Sequence, residues 1–321
     1  MCPVTRLQSK IQPIFLFSLP RSGSTLAQRT LATHAEISTV SEPWILLPYL
    51  YTLKKDDIYA EYSHRTMVKA VEDFCRTLPN GTSDYLGELR ELTLRLYAKA
   101  GKNGARYFLD KTPRYHLVVE DVIHLFPEGK FIFLWRNPLS IIASITNTWA
   151  NGTWKLWRHK VDLFRGLDNL VHAYSANKDL ACALRYEDML ANPESEWKRV
   201  FRYLELPFEP ERVLQFSRVD LRGRMGDPVG TKQYKQISDE PIEKWKTAMA
   251  NPFRKAWCRN YLRWIGSERL AVMGYNMDEL LGELDSIPVS LQFLVSDLLR
   301  VPYGAAHHAM RKLQEKMLFF S

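Results

Sequence analysis

Short apolar runs alternate along this chain with longer stretches in which apolar residues recur every three or four positions. The runs Ile14–Leu19, Tyr107–Leu109, Lys130–Leu134 and Ala183–Tyr186 are rich in Phe, Ile, Leu and Tyr, and each ends at a turn signal or a helix start. They predict buried strands. Helical spacing runs through Thr25–Ala35, Tyr59–Leu78, Leu86–Ala100, Tyr115–Leu125, Leu139–Trp149, Leu156–Lys178 and Glu194–Leu204. Strands alternating with crossover helices predict an α/β fold, a central parallel sheet flanked by helices on both faces.

Beyond Ile287 the spacing predicts two further helices, separated by Pro302 and Gly304. Leu291, Leu294, Val295 and Leu298 fall on one helical face. That face reads as packing against the domain or a second copy of the chain, not as a membrane contact. A homodimer is therefore left open. The organisation expected is one α/β domain over residues 1–285 and a C-terminal helical extension over 286–321. The longest irregular stretch, 223–241, is of a length that in a compact enzyme is functional or disordered.

Composition narrows the class without naming it. The chain has 321 residues, 46% hydrophobic and 25% charged, ordinary for a globular protein with a packed core. Cys2, Cys75, Cys182 and Cys258 show no CxxC or CxxH spacing, which argues against a zinc site or a disulfide framework and fits a reducing compartment. The early apolar run Ile14–Leu19 is too short to span a membrane, and no cleavage site follows it. A soluble, cytoplasmic protein with no integral membrane segment is expected.

Charge is uneven. From Lys198 to Arg263 there are 15 Lys+Arg against 8 Asp+Glu, so +7 of the net +8 lies in that stretch. A basic segment rich in aromatics suits a polyanion, and a solvated basic surface is the plainer alternative. With no nucleic-acid-binding signature beside it, nucleic acid is not the expected partner.

Two motifs give that charge a use. The first is Pro20-Arg21-Ser22-Gly23-Ser24-Thr25, where the first strand turns into a helix. Unpaired amides at a helix start and its dipole favour an anion there. Gly23 lets the backbone approach closely, Ser24 and Thr25 add hydroxyls, and Arg21 adds a forked cation. The loop has no lysine ahead of its last hydroxyl and only one glycine, so it is neither the G-x-x-x-x-G-K-[ST] loop nor a G-x-G-x-x-G turn. A capped structural turn is the alternative. The second motif places Arg136 at the end of a strand, Asn137-Pro138 at a helix start, and Ser144 eight residues after Arg136. Together the two can hold two anionic groups.

At these residues the chain resembles the sulfotransferase superfamily, which uses 3′-phosphoadenosine 5′-phosphosulfate (PAPS). The resemblance extends over roughly residues 12 to 275, through Phe108-Leu109-Asp110-Lys111-Thr112-Pro113, Leu184-Arg185-Tyr186-Glu187-Asp188 with Asn192-Pro193, and Lys244-Trp245. It is nearest to the bacterial and protein-tyrosine-sulfotransferase-like branch. The resemblance implies a three-layer, P-loop-like fold. It also implies that Arg21, Ser22, Gly23, Ser24 and Thr25 hold the 5′-phosphosulfate and that Arg136 and Ser144 hold the 3′-phosphate. Tyr186 would lie beside the nucleotide, with Thr231 and Lys244 closing the site from the basic loop. No metal is expected.

Sulfuryl transfer needs an in-line acceptor, fixed positive charge and, for a hydroxyl acceptor, a base. Arg21 and Lys111 suit the charge role, an Asp110–Lys111 ion pair being the alternative for the lysine. The resemblance points to Glu42, in Ser38-Thr39-Val40-Ser41-Glu42-Pro43-Trp44, as the base, the alternative being a carboxylate at the start of the next helix. His116, five residues past Lys111, is the competing base, expected to face away or to cap. The aromatic stretch Trp149–Trp157 is expected to wall an acceptor pocket. The acceptor expected is a small molecule such as a bacterial natural product, glycolipid or sugar. Sulfation of a protein tyrosine or a carbohydrate, a P-loop phosphotransferase and a silent nucleotide-binding module are the alternatives.

Overall fold

In a computed structural model of the chain, the residues described are 11–56, 58, 60–223 and 244–317, with only the backbone described at Lys244, Ala305 and 307–317. Five parallel strands form one sheet in the order β2-β3-β1-β4-β5. They are β1 (Gln12–Ser18), β2 (Ile37–Thr39), β3 (Tyr107–Asp110), β4 (Lys130–Trp135) and β5 (Ala181–Arg185). The period of two along β1 sends Phe15 and Phe17 to one core and Ile14 and Leu16 to the other. Phe131 and Phe133 of β4 join the first core, Ile132 and Leu134 the second, so the sheet is buried on both sides. The rings of Phe15, Phe17 and Phe131 stack at centroid distances of about 6 Å along the first face.

The order places β1 in the centre. The chain leaves β1 for β2 and β3 on one side, then crosses to β4 and β5 on the other. Ligands of open α/β sheets lie in the crevice beyond the carboxyl ends of the strands at such a reversal, here between β1 and β4. Helix α1 (Ser24–Leu31) follows β1, and Pro138–Trp149 follows β4. Both anion motifs therefore start at that crevice.

Several elements differ from their predicted form. The three-residue edge strand β2 carries no periodicity of its own; pairing with β3 makes it, Ser38 lying beside Phe108. Strand β5 starts two residues earlier than predicted, and Tyr186 opens the next helix, Tyr186–Ala191. The predicted helix Leu156–Lys178 is three pieces: a 3-10 turn at Leu156–His159, a π turn at Val161–Gly166 and a helix at Leu167–Ala176. Near His116, a 3-10 turn at Pro113–Leu117 precedes the helix Val119–Leu125.

The tail is one helix, Leu294–Met317, which runs through Pro302. It is fastened where Arg254 and Asp297 form a buried ion pair (2.7 Å), with Asn251 Nδ2 donating to the same carboxylate at 2.8 Å. Its predicted apolar face does not pack on the domain: Leu291, Val295 and Leu298 are exposed.

Candidate active site

The β1–α1 loop is held in a demanding conformation. Arg21 and Gly23 both have positive φ, 70° and 87°. At Gly23 a Cβ would lie 2.3 Å from the ring of Tyr186, so the turn demands glycine twice over, for its torsion and for the contact. At Arg21 the left-handed backbone is a strained choice for a side chain, of the kind that clusters at ligand sites. Gly23 O then accepts from Leu26 N and Ala27 N to open α1.

Arg136 crosses from β4 to this loop. One guanidinium nitrogen donates to the Arg21 carbonyl at 2.8 Å, and the group lies 4.2 Å over the Tyr186 ring. The Arg21 side chain reaches the helix after β4, where Nε donates to Ser144 Oγ (3.1 Å) and an η nitrogen to Thr148 Oγ1 (3.2 Å). It also lies 5.6 Å over Trp149. Asn137 caps that helix through Leu139 N, and its own N–H donates to Glu187. Arg21, Gly23, Arg136, Ser144 and Tyr186 are thus one cluster. Ser22 and Thr25 are buried beside it. Ser22 Oγ and Arg136 Nε are buried with no hydrogen-bond partner among the described residues. Buried donors of this kind fit an anion whose oxygens would satisfy them.

A second group forms at the ends of β2 and β3. Lys111 Nζ donates to Glu42 Oε1 at 2.6 Å, and the Trp44 indole N–H donates to Glu42 Oε2 at 3.0 Å. The two side chains of the ion pair are only 2% and 9% exposed. The partner of Lys111 is thus Glu42 and not Asp110. Glu42 makes no cap to the helix Leu46–Tyr51. Asp110 instead accepts from Tyr97, Thr112 and Tyr115. Burial pushes its carboxyl up to about 6, against the opposing effect of those hydroxyls and of Lys111.

Gln28 positions Glu42. From α1 its amide nitrogen donates to the carbonyls of Val40 and Ser41 at 2.7 and 2.9 Å, with Thr39 Oγ1 at 2.8 Å. Sequence reasoning missed Gln28 and Thr148. The first is a polar residue at a position otherwise reading as core; the second lies four residues after Ser144, the spacing of one helical face.

His116 lies elsewhere. It is buried, its Nε2 is 2.8 Å from Asp162, and a Cβ on Gly166 would come within 2.6 Å of its ring. Burial lowers its pKa while Asp162 opposes that shift. Burial opposes the ionised form of Asp162, but the hydrogen bond with His116 and the charge of Arg114, 3.0 Å away, outweigh it and hold its carboxyl well below the usual range. This arrangement secures the 3-10 turn after Lys111 to the π turn. Thr231 lies outside the described residues, as do the side chain of Lys244 and residues 224–243.

The α/β fold thus carries a cluster of buried donors at its strand crossover and, beside it, a buried carboxylate–lysine pair, an arrangement that suits an anionic ligand. Residues 13–210 match the family model described as the Sulfotransferase family, and the chain belongs to that family. It is 27% identical over 269 residues to nodulation protein NoeE of Sinorhizobium fredii, covering 73% of this chain and 60% of that protein. It is 22% identical over 205 residues to a protein-tyrosine sulfotransferase of Drosophila melanogaster, covering 61% and 38%. The chain thus spans less than two thirds of the length of either relative. The sulfotransferase domain from the curacin biosynthetic pathway superposes with a TM-score of 0.53 at 24% identity, over 76% of this chain and 92% of that domain, a likeness of fold.

Proposed function

We propose that the chain transfers a sulfuryl group from PAPS to a hydroxyl or amine of a small-molecule acceptor such as a natural product, glycolipid or sugar. When bound, PAPS supplies a sulfuryl group whose bond to the 5′-phosphate breaks as the acceptor oxygen or nitrogen bonds to sulfur. The observation that carries this reading is the joining of two motifs 115 residues apart, Arg136 to the Arg21 carbonyl, around Ser22 Oγ and Arg136 Nε, both buried and without a hydrogen-bond partner among the described residues. Ser22, Ser24 and Thr25 would hold the 5′ end, while Arg136 and Ser144 would hold the 3′-phosphate. Tyr186 would back them, and Thr231 and Lys244 would close the site.

Glu42 Oε1 or Oε2 takes the acceptor proton in this reading. Lys111, released from part of its charge pairing as that proton arrives, offers positive charge to the transferring group and the leaving oxygen, a role shared by Arg21. Calorimetry with 3′-phosphoadenosine 5′-phosphate (PAP) and ATP tests the donor, and a mass-spectrometric search for acceptors gaining one sulfuryl group tests the transfer. PAP is expected to bind tightly and ATP weakly, without a magnesium requirement. Preference for ATP, or transfer strictly dependent on magnesium, would sink the reading.

A further inference from the structure

A cavity of about 160 Å³ opens beside the helix Pro138–Trp149. None of Arg21, Gly23, Arg136, Ser144 and Tyr186 lines it, so it shares no residue with the anion cluster. Neighbouring residues of the helix divide between the two places: Thr148 accepts from Arg21, and Asn147 lines the cavity. Arg254 forms part of the wall, its charge matched by buried Asp297 at 2.7 Å, and no other lining residue is charged. The lining also carries two amides, Asn147 and Gln292, and two hydroxyls, Thr247 and Ser290. Ser290 Oγ accepts from Gln292 N at 3.2 Å, and the other three side chains make no hydrogen bond among the described residues. Ala248, Ala250 and the exposed ring of Phe293 supply apolar contact. Phe293 is held with a φ of 64°, an outlier for so bulky a residue.

These groups choose the occupant. A cavity of about 150 Å³ admits a benzene-sized ring, so one ring of that size fits here. An apolar ring would desolvate the amides and hydroxyls without replacing their hydrogen bonds. An ion would meet no free counter-charge, since Arg254 and Asp297 neutralise each other. A neutral ring with hydroxyls round its edge satisfies both limits. The amides donate and accept, and the apolar residues take its C–H face. We propose, building on the sulfuryl-transfer reading above, that this cavity is a subsite for a neutral sugar unit of the acceptor. The acceptor is then a molecule that carries such a sugar. Because Asn147 and Thr148 are adjacent, the subsite borders the Arg21 side chain that the transfer would use.

The test probes a panel of immobilised neutral and acidic glycans, from single sugars to short oligosaccharides, with the full chain in the presence and absence of PAP. Binding to at least one neutral glycan is expected. In the variant Asn147→Ala/Gln292→Ala its affinity should fall by about tenfold or more, the loss of two hydrogen bonds. Melting temperature and PAP affinity should be unchanged, because both residues are exposed and neither belongs to the anion cluster. Binding to no glycan, a preference for acidic glycans, or a variant that binds as the parent chain does would overturn the subsite. So would a variant that loses PAP, which would assign the cavity to the donor. Calorimetry keeps the two readings apart: PAP bound with no glycan refutes the subsite alone, and glycan bound with no PAP refutes the donor alone.

Discussion

Replacing Glu42 by glutamine probes the proposed base, and the structure makes the exchange more informative than an isosteric swap. Both carboxylate oxygens are occupied, one by Lys111 Nζ at 2.6 Å and the other by the Trp44 indole N–H at 3.0 Å. Glutamine has one acceptor oxygen, so its NH2 must face one of these donors. The charged donor keeps the oxygen, and Trp44 loses its partner. That costs about 1–3 kcal/mol of stability, the price of a buried donor left unpaired. Turnover should fall by roughly 10²–10⁴, the scale of general-base catalysis, while PAP affinity holds. Trp44→Phe separates the two effects, because it removes the same hydrogen bond and leaves the base. Its turnover should stay within about tenfold of the parent chain. The assay is sulfated product by mass spectrometry beside calorimetric titration of PAP and a thermal melt. Turnover lost equally in both variants, or near-normal turnover in Glu42→Gln, would refute Glu42 as the base.

Four other perturbations follow from the same geometry. Arg136→Ala and Ser144→Ala should each weaken PAP by about 1.5–3 kcal/mol, and should weaken the nucleotide lacking its 3′-phosphate much less; equal losses would remove the 3′-phosphate assignment. Gly23→Ala should lower the melting temperature and cut PAP affinity by about tenfold or more, because a Cβ 2.3 Å from Tyr186 must displace the ring that backs Arg136; unchanged affinity would argue against that packing. Asp110 is raised to about 6 by burial, so the folded chain binds a proton that the unfolded chain releases near pH 4. Its contribution to stability is present below pH 4 and fades as pH rises through 6, by about 3 kcal/mol in all. Asp110→Asn should therefore gain stability relative to the parent chain between pH 4 and 7, read from paired melts, and a flat difference would contradict the assignment. His116→Asn should leave turnover nearly intact, since His116 faces Asp162, whereas a dead His116→Asn beside an active Glu42→Gln would reverse the choice of base.

What the sequence made legible follows how locally each feature is encoded. The strands β1, β3 and β4 are dense apolar runs, and both anion motifs sit at strand-to-helix turns whose residue types are chemically restricted. Residues 69 positions apart, Glu42 and Lys111, were named for the same chemistry and meet at 2.6 Å. β2 escaped because three residues paired to a neighbour leave no period to read. The break at Val161–Gly166 escaped because a π turn keeps nearly helical spacing while the chain gains a residue. The tail departs from its expected form for a different reason. Apolar spacing predicts a face but not what covers it, and here the packing side is polar, built on Asp297, while the apolar side is turned outward.

The same distinction explains why the proposed catalytic assignments are sharper than the acceptor. In the proposed reading, donor recognition rests on charges and torsions that few residues can supply, such as Arg136 reaching the Arg21 carbonyl and the left-handed turn at Gly23. These leave marks in a single sequence. The aromatic stretch Trp149–Trp157 is different. Trp154 packs edge-on against Phe253 and Trp257 and carries Arg254 over its face, so it serves the core and the tail helix at once. Trp149 stacks on His159 and underlies Arg21. An aromatic ring that already has these structural duties can wall a pocket without any change of residue type. In that reading, acceptor shape would be written in the placement of such rings, which tertiary packing sets, whereas donor chemistry would be written in residue identity.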